Sequence, residues 1–185
     1  MHIAIARLKS VSPYSQSRYH AIPCDPKETP DDHERRTWRE RCHATDDGRI
    51  FIPPMAFKNC LSEAAKFLGK QIKGKGKATY TKHFEAGILV LEPLILPIRK
   101  DEVEGEWLFV PKDGVRGGGK RVMKCFPLIR QWEGDVTFHI LDNLITEHVF
   151  LEHLEEAGKF IGIGRFRPRN NGFYGRFEVV DLKWD

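Results

Sequence analysis

Little in this chain is built for export, cross-linking or membranes. It has four cysteines, at positions 24, 42, 60 and 125, and no CxxC pair. That excludes a disulfide-stapled scaffold and a CxxC-based redox or zinc module, and the expectation is reduced thiols in a cytoplasmic protein. The longest apolar stretch, Gly87 to Ile98, is interrupted by Glu92, Pro93 and Pro97, which excludes a membrane-spanning helix. A basic start, apolar segment and small-residue cleavage site are missing from the N-terminus, so no secretory signal is read there. There is no internal repeat and no low-complexity tail, which excludes a solenoid or a disordered arm. What is present is 185 residues, 41% hydrophobic and 30% charged, at a mean hydropathy of −0.45. This balance fits one soluble domain over residues 1–185 with a core of its own.

The formal net charge is only +4, so its layout matters more than its total. Seven lysines fall between Lys58 and Lys82 against one acid, Glu63. Between Ala157 and Arg176 lie five basic residues and no acid, interleaved with Phe160, Phe166, Phe173 and Tyr174. Cations that hold phosphates beside rings that stack on bases suit single-stranded nucleic acid.

Along the chain, His2–Leu8 alternates and reads as a strand. Residues 10–49 are a polar, proline-punctuated excursion, with a short helix expected over Asp31–Cys42, capped by Asp31 or Asp32. Arg49-Ile50-Phe51-Ile52 is a brief apolar run. Pro53-Pro54 then suits a first helical turn, because proline's missing N–H costs nothing there. Phe57, Leu61, Ala64, Ala65 and Leu68 follow at helical spacing, and Gly69 closes the helix. After the lysine-rich loop, Ala86–Leu91 reads as a strand running on towards Ile98. Residues 99–130, acidic then basic and Gly-rich, read as an inserted loop or β-hairpin. Asp135–Leu141 is a strand, Thr146 caps a second helix bearing Phe150, Leu154 and Ala157, and Arg176–Leu182 is the last strand. Strand, helix, strand, strand, helix, strand makes an α+β fold, a ferredoxin-like or RRM-like βαββαβ core with an inserted loop or hairpin.

The glycines of Gly158–Gly175 follow a helix and precede a strand. A dinucleotide fingerprint needs the opposite order, strand before glycines and helix after, so that phosphate meets a helix N-terminus. The segments Gly158-Lys159-Phe160-Ile161-Gly162-Ile163-Gly164-Arg165 and Asn170-Asn171-Gly172-Phe173-Tyr174-Gly175-Arg176-Phe177 instead resemble the Gly-rich loop of the RAMP superfamily of CRISPR-associated proteins. In that superfamily the loop lies between the last helix and last strand of a ferredoxin-like core. A second stretch, Ile52-Pro53-Pro54-Met55-Ala56-Phe57-Lys58-Asn59, is similar to the family's Ile-Pro-Gly-Ser-Ser-Leu-Lys-Gly at its isoleucine, first proline, apolar sixth position and lysine. The resemblance is greatest to backbone subunits that polymerise along guide RNA in Cascade-type and Csm/Cmr-type complexes. It implies single-stranded RNA, other copies of the chain or CRISPR effector subunits, and a target DNA or RNA strand as partners, with residues 99–130 in the place of a thumb.

On these grounds the RNA-binding candidates are Lys58, Lys70, Lys73, Lys75, Lys77, Arg116, Lys120, Arg121, Lys124, Arg165, Arg167, Arg169, Phe173, Tyr174 and Arg176. Two alternatives stand beside this reading. One is a RAMP-type endoribonuclease. Its histidine base would be His20 or His43, since a pKa near neutrality suits proton abstraction from a 2′-hydroxyl; its aspartate candidates would include Asp31 and Asp32. The other is a decoy that mimics a backbone subunit. His20, Cys24, Cys42 and His43 have zinc-binding atoms, but the adjacency of Cys42 and His43 is awkward for tetrahedral closure, and neither a metal nor a cofactor is expected.

Overall fold

The computed structural model describes residues 1–115 and 117–185. In chain order its elements are β1 (His2–Ser10), β2 (Tyr14–Ser15), α1 (Pro30–Thr37), β3 (Arg49–Ile52), α2 (Pro54–Leu68), α3 (Thr81–Ala86), β4 (Ile88–Leu89), β5 (Leu94–Arg99), β6 (Glu104–Pro111), β7 (Arg121–Ile129), β8 (Glu133–Ile140), α4 (Glu147–Glu156) and β9 (Phe177–Trp184).

The central sheet has the order β4-β8-β1-β9, every neighbour antiparallel. With α2 between β1 and β4, and α4 between β8 and β9, this is the ferredoxin-like arrangement. In β1, Ala4, Ala6 and Leu8 point inward and are fully buried. The two alanines leave room for the helices, which bring Phe57, Leu61, Ala64 and Ala65 from α2 and Phe150 and Leu154 from α4. Edge-on aromatic pairs join the layers: Phe138 with Phe150 at 5.1 Å and Phe57 with Phe177 at 6.4 Å between ring centres. The opposite, solvated face carries Ile5, Thr137 and His139 and no phenylalanine, tyrosine or tryptophan. Arg7 there is held by Glu133 at 2.7 Å. The base-stacking sheet face of an RRM is therefore absent, although the topology is shared.

Residues 104–129 form the expected insertion as a hairpin. Its two strands pair from Glu104–Leu128 to Pro111–Arg121. The excursion after β1 is not idle either, since β2 adds to the far side of β7.

Three local expectations are corrected. The first helix is capped by Thr29, whose hydroxyl accepts from the Asp32 N–H, and not by Asp31 or Asp32; it gives way to a 3-10 turn over Trp38–Arg41. The apolar run after residue 86 is two strands in different sheets, because Glu92 and Pro93 break it; β4 joins β8, whereas β5 pairs with β3. The short helix α3 had no strong sequence signal, and it ends on Ala86, where a strand was expected to begin.

Candidate nucleic-acid interface

Helix α1 is docked onto the hairpin by one carboxylate. Glu34 is almost fully buried and accepts from Arg41 Nη1 at 2.5 Å, Arg41 Nη2 at 3.1 Å, Lys124 Nζ at 3.0 Å and the Cys125 N–H at 2.8 Å. Burial pushes the Glu34 carboxyl up, but these hydrogen bonds outweigh it and hold it below its ordinary value.

This latch builds one wall of a groove of about 580 Å³ between the hairpin's turn end and the Gly-rich loop. Its cations are Arg41, Lys112, Arg121 and Lys124, its aromatics are Phe126 and Phe166, and among the described residues no acidic side chain lines it. Glu34, behind the wall, offsets one of the four charges. Arg121 donates to the Phe109 carbonyl at 2.7 Å through Nη2, which fixes its position, and no carboxylate among the described residues pairs with it. Lys112 is exposed.

Beneath the groove the Gly-rich loop is locked. The Arg165 guanidinium lies over Phe126 at 4.0 Å and Tyr174 at 5.6 Å, and pairs with Glu106 at 2.7 Å. Burial lowers its pKa, and Glu106 opposes that. The Tyr174 hydroxyl donates to the other Glu106 oxygen. Burial, with Glu106 beside it, pushes the phenol up to about 12. Arg167 pairs with Glu63 at 2.6 Å. Arg169 is exposed, 6.0 Å from the centre of the Phe67 ring. Arg176 donates to the carbonyls of Lys159 and Phe173, while the Phe173 ring is exposed. The arginines read together in sequence thus have different surroundings, two on carboxylates and two without.

The remaining candidates are dispersed. Lys58 Nζ donates to Glu85 O at 2.7 Å, Phe84 O at 3.3 Å and Ser62 Oγ at 2.8 Å, tying α2 to the carboxyl end of α3; burial lowers its pKa. Lys70 pairs with Glu152. Lys73, Lys75 and Lys77 are exposed on the loop after α2, and Lys120 is exposed on the hairpin turn. Arg116 lies outside the described residues.

Of the catalytic candidates, His20 is partly buried with its ring 6.4 Å from His33, and His43 packs on Phe51 at 5.6 Å; burial lowers the pKa of both. Asp31 and Asp32 are exposed, and Asp32 is taken up by the Thr29 cap. None of these four lines the groove. Among the described residues no group of three or more His, Cys, Asp or Glu side chains is placed to hold a metal, and the set His20, Cys24, Cys42, His43 is not brought together as one.

Sequence reasoning missed Arg41, Lys112 and Phe126, and it placed Phe166 among the aromatics of the basic Gly-rich segment without singling it out. Arg41 sits in a segment whose charges balance locally, and nothing in its neighbourhood points to the hairpin. It also missed the pair His83–Asp142, joined at 2.6 Å between α3 and the loop after β8.

No protein-family description matches the chain, and no curated protein matches it. Among solved structures, the chain is similar to Cmr6 from Pyrococcus furiosus at 12% identity, over 97% of this chain and 99% of that one, with a TM-score of 0.49. It is also similar, at 11% identity and a TM-score of 0.33, to a chain of a CRISPR RNA-guided surveillance complex, over 86% of this chain and 59% of that one. The fold itself rests on the strand order and directions described above.

Proposed function

We propose that this protein binds single-stranded RNA in the groove between hairpin and Gly-rich loop, as a RAMP-type subunit of a CRISPR effector-like ribonucleoprotein. The observation that carries the reading is the lining: among the described residues it holds four cations and two aromatic residues and no acidic side chain. A polyanion gains from every cation it meets, and ring faces accept bases without regard to sequence. The resemblance of Gly158–Phe177 and Ile52–Asn59 to RAMP motifs supports RNA over other polyanions.

Roles divide by surroundings. Lys112, Lys120 and Arg121 would meet phosphates, with Arg41 and Lys124, both held by Glu34, behind them. Lys73, Lys75 and Lys77 would extend the track, and Arg169, Arg176 and Phe173 would form its rim. Arg165, Arg167, Tyr174, Lys58 and Lys70, already engaged by protein groups, would shape and stiffen the binding surface. The endoribonuclease alternative would need a general base at the groove, and neither His20 nor His43 lines it.

The test is binding of labelled single-stranded RNA over a salt series. The expected result is an affinity that falls steeply with salt and drops at least tenfold in the double variant Lys112→Ala/Arg121→Ala. A binding constant indifferent to salt and to both substitutions would overturn the reading.

A further inference from the structure

Phe166 has φ +54°, in the left-handed region that a bulky side chain rarely adopts. Such a conformation is costly and persists only where its neighbours impose it. They do so here. The Phe166 carbonyl accepts from the Tyr174 N–H at 3.0 Å, and the preceding residue is anchored by the Arg165 N–H to Ser15 O at 2.9 Å. The carbonyl also packs against Gly172 so closely that no Cβ fits there.

The strain is not explained by burial of the ring, since Phe166 is 47% exposed. Glycine or asparagine would take the same turn at less cost. What distinguishes phenylalanine is its ring, and Phe166 is one of the residues that line the groove. It stands on Tyr174 at 6.2 Å, edge to face, and Tyr174 is itself pinned through Glu106 to Arg165. The platform is therefore held before any ligand arrives, which lowers the ordering cost of binding. Lys112 and Arg121 line the same groove. Its volume of about 580 Å³ falls within the ~300–1,000 Å³ of small-molecule sites.

We propose that the groove is a site for a single nucleotide unit, its base stacked on Phe166 and its phosphate held by Lys112 and Arg121. This rests on the RNA-binding reading and sharpens it to one residue. The unit can belong to a bound strand or be a free nucleotide, and the two sources are separable.

The experiment uses Phe166→Gly and Phe166→Trp in the full chain. Probes are a single-stranded 12-mer RNA with one 2-aminopurine, scanned through each position, and free AMP as a competitor. The expected result for Phe166→Gly is a raised melting temperature, because the strain is relieved, together with RNA affinity about 5- to 100-fold weaker. Phe166→Trp should retain the affinity, and at least one 2-aminopurine position should be quenched by wild type but not by Phe166→Gly. A ring needed only for packing would not give higher stability with weaker binding. Wild-type RNA affinity with salt dependence, unchanged in Phe166→Gly, would overturn this site and leave the RNA-binding reading standing. AMP binding that depends on Phe166 without any binding of the 12-mer would overturn that reading and assign the site to free nucleotide. No binding of either probe to wild type would overturn both.

Discussion

His153, within α4, is fully buried. Its Nδ1–H donates to the Val149 carbonyl at 2.7 Å, and its ring stacks on Phe84 at 4.3 Å. Nε2 has no partner among the described residues. Burial holds its pKa below the ordinary 6.5, and the same cause lowers His20 and His43. An unfolded chain takes up these protons near pH 6.5, while the folded chain resists, so the shift favours unfolding in acid. Stability is therefore full above about pH 6.5 and declines as the pH falls towards and through the lowered folded values. The urea midpoint is expected to drop between pH 7 and pH 5.5, and to drop less in His153→Leu. Equal drops in both proteins would contradict that role for His153. Gly172 gives a second expectation at this scale. A methyl group there would run into the Phe166 carbonyl, so Gly172→Ala should cost about 1–3 kcal/mol in denaturant unfolding.

Among the elements, α1 and the hairpin stand or fall together through Glu34. Removing one member of a buried ionic cluster leaves its partners unpaired, so Glu34→Ala should cost about 3–5 kcal/mol, read as a shift in urea midpoint at unchanged slope. The carboxyl's pKa is lowered in the folded state. Its contribution is thus complete above the ordinary 4.5 and is lost as the pH falls through the folded value. The turn of the hairpin behaves differently. Residues 112–115 and 117–120 are mostly exposed, and the turn is closed by the Lys112 N–H to Lys120 O at 2.8 Å. Replacing residues 112–120 by a two-residue Asn-Gly turn should leave the melting temperature within a few degrees and remove most of the RNA affinity. A shortened protein that still binds RNA at full strength would place the interface elsewhere.

Over the whole molecule, the small net charge conceals an uneven field. Acids offset cations across much of the surface, as at Arg7, Arg36, Arg49 and Arg130, each paired with a carboxylate. The groove is left with an excess. Each phosphate neutralised on a single strand contributes about 0.7 to the slope of log affinity against log salt. A strand confined to the groove should therefore give a slope of about −2 to −3. If the same strand also crosses the loop after α2, Lys73→Ala/Lys75→Ala/Lys77→Ala should reduce the slope by about 2. An unchanged slope would restrict the RNA to the groove. The same frame predicts that copies line up only on long RNA, checked by mass against strand length.

The sequence by itself determined the order of the βαββαβ core elements, because periodicity and end signals are local. Pro54 starts α2, Gly69 at φ +56° ends it, and Thr146 caps α4, each within a few residues of the pattern that calls for it. It also located the hairpin and the Gly-rich loop as the basic, irregular parts of the chain. Which cations are free was decided only by the tertiary structure. Arg167 finds Glu63 across 104 positions and Arg165 finds Glu106 across 59. Arg41 reaches the hairpin from 84 positions away, where it donates to the Cys125 carbonyl. Two acid-poor stretches of sequence are not two acid-free surfaces, since a carboxylate from anywhere in the chain can fold against them. Charge is additive along a sequence, but its compensation depends on distances in space, and those exist only once the sheet, helices and hairpin have packed.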